Sequence, residues 1–145
     1  MEAEQVRNGE VVEMEIPSAP EYVAIVRRMV EGIARRMSFA PGQVEDLKLA
    51  VGEACTNAVR HGCPRNGTSN VEIRFIVMPG ALLVEVTNGH EDCESPSLCS
   101  EPDLGKEGGL GLYIIRQLVD EVDILWQEET ATVKMLKRLS AQPAM

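Results

Sequence analysis

Val11, Val12, Met14 and Ile16 form a short apolar run that stops at Pro17, the pattern of an opening strand, and Ser18 offers an N-cap to a helix behind it. Val23, Val26, Met29, Val30, Ile33 and Met37 then recur at steps of three and four, with Arg27, Arg28, Arg35 and Arg36 between them. That spacing predicts an amphipathic helix with one buried stripe, interrupted at Pro41 and Gly42. A second helix is expected from about Gln43 to His61, with Val44, Leu47, Val51, Ala54 and Ala58 toward the core and Gly62 and Pro64 ending it. Pro64 to Asn70 is polar and reads as a loop. Val71, Ile73, Phe75 and Val77 alternate with Glu72, Arg74 and Ile76, and the alternation resumes at Leu82, Val84 and Val86 after Pro79-Gly80, which predicts a β-hairpin with one core face. From Asn88 to Gly109 no period holds, and the Gly, Ser, Pro and charged content suits a lid. Leu110, Ile114, Ile115, Leu118 and Val119 restore the helical step. Val122, Ile124 and Trp126 then alternate as a strand ending at Gln127-Glu128-Glu129, and Thr132 to Lys137 pairs back as the last strand.

In this order of elements every amphipathic face finds a partner if the helices cover one side of a single sheet. The expected fold class is a two-layer α/β (α+β) sandwich, a mixed, mostly antiparallel sheet of about five strands with three helices on one face. The 145 residues suit one domain, 1–145, with an ordered core of about 11–138 and a frayed tail from Ser140.

Charge narrows the partners. Fourteen basic against 23 acidic residues give a formal charge of -9, and no run of Lys or Arg offsets it, so direct contact with nucleic acid or with an anionic membrane surface is not expected. A protein partner with a basic surface fits this balance. The stretch from Phe75 to Val86 is broken by Pro79 and Gly80 and carries Glu85, so it does not read as a membrane span. The opening Met1-Glu2-Ala3-Glu4 lacks the basic-then-apolar pattern of a secretory signal, and a cytoplasmic location is expected. The four cysteines, Cys55, Cys63, Cys93 and Cys99, contain no CxxC pair and read as reduced thiols rather than a disulfide framework or zinc site.

Two features carry candidate chemistry. Glu53 and Asn57 stand four apart on the second helix, so their side chains leave one face a turn apart. A carboxylate beside a neutral oxygen donor suits magnesium held by few protein ligands plus phosphates, with the carboxylate positioning or deprotonating a nucleophile; a plain solvated helix face has the same composition. Gly108-Gly109-Leu110-Gly111-Leu112 directly precedes a helical stripe, where glycines allow close backbone approach and the first helical N–H groups favour an anion, which reads as a phosphate cradle or as a flexible loop leading into a helix. Lys106 just before it is placed to reach a β- or γ-phosphate, or is an ordinary exposed lysine. His61 reads as a helix C-terminal residue set against the dipole, and His90 as an exposed loop histidine.

The block Glu53-Ala54-Cys55-Thr56-Asn57-Ala58-Val59-Arg60-His61-Gly62, followed by Glu107-Gly108-Gly109-Leu110-Gly111-Leu112-Tyr113-Ile114-Ile115 and Val119-Asp120-Glu121-Val122, closely resembles the anti-sigma serine/threonine protein kinases of the GHKL ATPase superfamily. The resemblance implies ATP and Mg²⁺ as cofactors, with Glu53 as the base or water-positioning group, Asn57 on the magnesium, and the glycine-rich box and its helix on the phosphates, which falls on Gly109, Gly111 and Leu112, with Gly108 before and Leu110 between them. In that family a threonine of the last strands borders the adenine, which falls on Thr132. The family's Asp-x-Gly-x-Gly adenine box is replaced here by Asn88-Gly89-His90-Glu91-Asp92, where the Asn88 carbonyl can still accept from the adenine amino group. The implied activity is transfer of the ATP γ-phosphate to an anti-anti-sigma (STAS-type) protein together with sequestration of a sigma factor, hence transcription regulation, by a homodimer. The alternative is a catalytically weak partner-switching module with a degraded adenine box. A detached histidine-kinase catalytic domain is a third reading, disfavoured by the lack of a helical hairpin carrying a phospho-acceptor histidine.

Overall fold

The computed structural model describes residues 7–61, 70–89, 107–127 and 130–140. Its elements are β1 (Val11–Pro17), a 3₁₀ turn (Pro20–Tyr22), α1 (Val23–Arg36), α2 (Pro41–His61), β2 (Asn70–Met78), β3 (Ala81–Gly89), α3 (Glu107–Leu118), β4 (Glu121–Trp126) and β5 (Thr130–Arg138). The strands form one sheet in the order β1-β2-β3-β5-β4. Every pairing is antiparallel, so the sheet is not mixed as the sequence suggested.

Helix parity explains this arrangement. Two helices separate β1 from β2, so the chain returns in the opposite sense and the two strands pair directly. A single helix separates β3 from β4, which therefore run the same way, and β5 inserts between them as a strand antiparallel to both. Parallel strands are present but never adjacent.

The helices form one layer, with α2 packed on β2 and β3, α1 and α3 on either side of α2, and α3 also against β4. Val44, Leu47, Val51, Ala54 and Ala58 of α2 are buried as the periodicity predicts, above Val71, Ile73, Phe75, Val77, Leu82, Val84 and Val86. In α1 the buried stripe is Val23, Val26, Val30, Ile33 and Ala34. Met29, expected inside, is 37% exposed, because its position falls outside that stripe.

The helix ends show which local signals were used. Ser18 does not cap α1: the chain first makes the 3₁₀ turn, and the N-cap is Tyr22 with no side-chain capping bond. Helix α2 opens with Pro41 in its first turn, where a missing N–H costs nothing. Gln43 Oε1 accepts from the Ala40 N–H at 3.3 Å and its Nε2 donates to the Arg138 carbonyl at 2.9 Å, fastening the end of β5 to the start of α2. Lys137 Nζ donates to the Leu118 carbonyl at 2.7 Å, satisfying the C-terminus of α3, and pairs with Asp46 of α2 at 3.5 Å.

The opposite sheet face carries a row of alternating charge across all five strands, Glu13, Arg74, Glu85, Lys134 and Asp123, each directly opposite the next. Arg74 bonds Glu13 at 3.1 Å and Glu85 at 3.0 Å, and Lys134 lies 3.7 Å from Glu85, which is only 9% exposed and needs both cations.

Helix α1 ends with Ser38 at φ +70°, bonding its N–H to the Arg35 carbonyl while Phe39 N–H reaches the Ala34 carbonyl. This closure places a residue with a Cβ in the left-handed region that glycine occupies without strain. Ser38→Gly is expected to stabilise the chain by about 0.5–1 kcal/mol, read as a higher urea midpoint at unchanged slope. A lower midpoint would mean that Ser38 holds the turn through its side chain.

Candidate functional site

Glu53 and Asn57 sit on α2 above the buried Ala54 and Ala58, both half-buried. They converge on one backbone position of α3. A methyl group placed on Gly111 would come within 2.9 Å of Asn57 Nδ2, 3.1 Å of Glu53 Oε2 and 3.2 Å of Asn57 Oδ1. Gly111 is thus the position at which α3 can approach the pair without displacing it, and the absence of a side chain there lets a carboxylate and a carboxamide stand together at one point.

Helix α3 starts at Glu107, so Gly108, Gly109 and Gly111 lie inside its first two turns rather than before it. The N–H groups of Glu107, Gly108, Gly109 and Leu110 are those without an acceptor within the helix, and the positive end of the helix dipole lies with them. The cradle expected from the sequence is therefore the helix terminus itself, with Glu53 and Asn57 beside it. Leu112 is 8% exposed and its side chain packs in the hydrophobic core, where it anchors α3.

Asn88 occupies the helix-facing side of β3 and is 4% exposed, with Nδ2 donating to the Ala58 carbonyl of α2 at 3.4 Å. Across the ladder it faces Ala131. Thr132 is one residue further and hence on the other face of the sheet, opposite Thr87, with the two hydroxyls 2.8 Å apart. The structure does not bring Thr132 to Glu53, Asn57 and Asn88; Ala131, 5% exposed, holds the place that the sequence reading gave to it. The signal was available, since Ala131, Val133 and Met135 alternate as one apolar face and exclude Thr132 from it. Ala58 and Ala131 are the positions around Asn88 that sequence reasoning missed.

Lys106, His90 and most of the expected lid lie outside the described residues, as do Cys63, Cys93 and Cys99. Cys55, between Glu53 and Asn57 in the chain, is a free, fully buried thiol whose pKa desolvation pushes up to about 12, so it stays protonated and unreactive. Among the described residues no cluster of three or more His, Cys, Asp or Glu side chains could hold a metal. A single carboxylate and a carboxamide beside a helix N-terminus instead match magnesium carried largely by phosphate and water oxygens. Among the same residues no helix is long and apolar enough to cross a membrane.

This constellation has counterparts in known proteins. Residues 16–137 match the family described as "Histidine kinase-like ATPase domain". The chain is 38% identical over 146 residues to the serine-protein kinase RsbW of Bacillus subtilis, an alignment covering 93% of this chain and 89% of that one. With the RsbW of Bacillus velezensis it shares 39% over 142 residues, covering 90% and 87%. Among solved structures, one of RsbU and RsbW domains from Mycobacterium tuberculosis superposes with a TM-score of 0.66 at 18% identity, covering 92% of this chain and 33% of that one. The histidine kinase domain of a blue-light activated kinase from Erythrobacter litoralis gives 0.53 at 24%, covering 92% and 65%. Both show the same fold. With the Glu53–Asn57 pair set against the glycine-bearing start of α3, the chain belongs to the histidine kinase-like ATPase family, in the group of the RsbW serine-protein kinases.

Proposed function

We propose that this chain is a Mg²⁺-dependent ATP:protein serine/threonine kinase and anti-sigma factor, acting in the cytoplasm as a homodimer that phosphorylates a STAS-type anti-anti-sigma protein and otherwise holds a sigma factor. The observation that carries the reading is the convergence of Glu53 and Asn57 on Gly111, since it sets a base and a metal-side oxygen next to a helix terminus suited to phosphate. The names of its relatives support the choice of a protein serine as acceptor.

In this reading the acceptor hydroxyl gives its proton to Glu53, its oxygen bonds to the γ-phosphorus, and the bond from that phosphorus to the β,γ-bridging oxygen breaks, leaving ADP. Magnesium, when bound, would supply charge neutralisation to the phosphates. Asn57 Oδ1 would hold the metal, the first-turn N–H groups of α3 together with Lys106 would hold the phosphates, and Asn88 and Ala131 would border the base. Asn88 does not favour the reading as an inactive module. Its amide nitrogen is engaged by Ala58, which leaves the carbonyl oxygen to the ligand.

Three outcomes test this. Glu53→Gln should bind Mg-ATP within about threefold of wild type in calorimetry while transfer to an anti-anti-sigma protein, read as phosphoserine or phosphothreonine by mass spectrometry, falls at least about a hundredfold. Asn57→Ala should instead lose the magnesium-dependent part of binding, and wild-type transfer in both variants would refute the assignment.

Gly111→Ala should separate stability from function. Alanine favours a helix by about 1 kcal/mol over glycine, so the melting temperature should hold or rise. Asn57 and Glu53 would have to move aside, and transfer should drop about tenfold or more. Full activity in a well-folded variant would mean that the pair does not work from this position.

Thr132→Val should leave ATP affinity within about twofold, because the hydroxyl bonds Thr87 on the far sheet face, whereas Ala131→Leu should weaken ATP at least about tenfold by filling the base side. The reverse pattern would restore Thr132 to the site.

A further inference from the structure

Helix α2 carries one apolar side chain that its own packing does not use. Of its two leucines, Leu47 is fully buried, whereas Leu49 is 45% exposed. The outward side of the helix otherwise reads Glu45, Thr56 and Arg60, all polar. Leu49 stands four positions before Glu53, as Glu53 stands four before Asn57, so the three side chains follow one another along one flank, a turn apart.

The surface around Leu49 suits an apolar group. Lys48 Nζ lies 3.5 Å from Glu31 of α1 and 3.4 Å from Glu45, so the charges nearest Leu49 on its own helix neutralise each other. At Gly52, three residues on and hence a neighbour on the helix surface, a methyl group would lie 3.1 Å from Arg27 Cδ, which shows that the methylene stem of that arginine covers the backbone there. An apolar side chain arriving at Leu49 meets hydrocarbon and paired charges, and no lone ion loses its water.

A single exposed leucine is ordinary on a protein surface, and only its place gives this one a task. The phosphoryl group passes between two oxygens roughly in line, so the acceptor hydroxyl attacks from the side opposite the ADP oxygen. In the reading above ADP extends from Glu53 toward Asn57 and, at the C-terminal end of α2, toward Asn88 beneath the Ala58 carbonyl. The acceptor therefore enters over the N-terminal side of Glu53, where Leu49 stands. One helical turn spans about 5.4 Å and consecutive residues of a chain stand about 3.8 Å apart, so a segment whose hydroxyl reaches Glu53 lays a residue within about two positions over Leu49.

We propose that Leu49 forms an acceptor subsite, taking an apolar side chain within about two residues of the serine or threonine that is phosphorylated. The proposal rests on the kinase function given above and names a determinant of its protein substrate. A segment with a charged residue at that position would have to desolvate it against Leu49 and is disfavoured.

The test titrates the anti-anti-sigma acceptor at saturating Mg-ATP. Leu49→Asn removes the apolar contact without adding a charge one turn from Glu53, and Leu49→Met returns it. The first should raise KM for the acceptor about tenfold or more, with kcat and Mg-ATP affinity within about twofold of wild type, and the second should stay within about threefold in KM. Mass spectrometry locates the phosphorylated residue, and changing its nearest apolar neighbour on the acceptor to Asn should raise KM alike. The two changes together should cost no more than about threefold beyond either alone, because both remove one contact. An unchanged KM in Leu49→Asn would overturn the subsite and leave the kinase standing. So would an acceptor with no apolar residue within two positions, a fall in kcat at unchanged KM, or a changed elution volume, which would mean that a second copy covers Leu49. Absence of transfer by the wild-type chain would overturn the function itself.

Discussion

Helix α2 can keep Glu53 and Asn57 together on its flank only because its neighbours meet it where side chains are missing. On the α1 side a methyl group at Gly52 would lie 3.1 Å from Arg27 Cδ, so the stem of that arginine crosses the bare backbone of α2. On the α3 side the contact is tighter still, with Gly111 against the functional pair itself. The same element that buries Leu47, Val51 and Ala54 in the core therefore carries the polar groups on its flank, and its position relative to α3 fixes where they stand. Stability and chemistry share one interface. A residue that improves α3 as an isolated helix intrudes on the site, which accounts for the cost of glycine inside a helix being tolerated there.

The connection between helices and sheet sets the surroundings of Asn88, the base side of the proposed site. Since β5 inserts between two strands that run the same way, Asn88 near the end of β3 has Ala131 of β5 on one side and Val71 of β2 on the other. The end of α2 lies over this row, which brings the Ala58 carbonyl to Asn88. The proposed metal-side and base-side residues thus both meet one helix, Asn57 as part of it and Asn88 through the carbonyl of the residue after Asn57.

Much of this was legible in the chain. The Glu53–Asn57 pair needs only the helical period to be placed, and the core stripe of α2 fixes that period through Val44, Leu47, Val51, Ala54 and Ala58. The hairpin was equally plain, because Pro79-Gly80 interrupts two alternating runs, and Gly80 does adopt the positive φ of +69° that the turn requires. What failed depended on context beyond a single element. Ser18 is a good capping residue, but Pro20 starts a 3₁₀ turn before the helix can begin. The start of α3 was set too late because glycines read as loop, whereas here two helices close enough to touch need Gly111 inside the helix. Thr132 was misplaced because the resemblance supplied a residue type without a face, and the face follows from register.

Register, in turn, is enforced from the side of the sheet that the site never touches. A one-residue slip between β3 and β5 would carry Thr132 to the helix face and Ala131 away from it, exchanging the neighbour of Asn88. That slip would also turn Met135, fully buried, and Val133 outward. A two-residue slip keeps every face, and hydrophobic burial alone resists it weakly. The charged row resists it instead: moved by two, Glu85 would face Thr132 or Leu136 in place of Lys134. Exposed ion pairs contribute little individually, about 0–1 kcal/mol, yet Glu85 is nearly buried and would lose one of its two cations. The alternation of Glu13, Arg74, Glu85, Lys134 and Asp123 therefore acts as a key for strand alignment, and the position of Ala131 beside Asn88 on the opposite face follows from it.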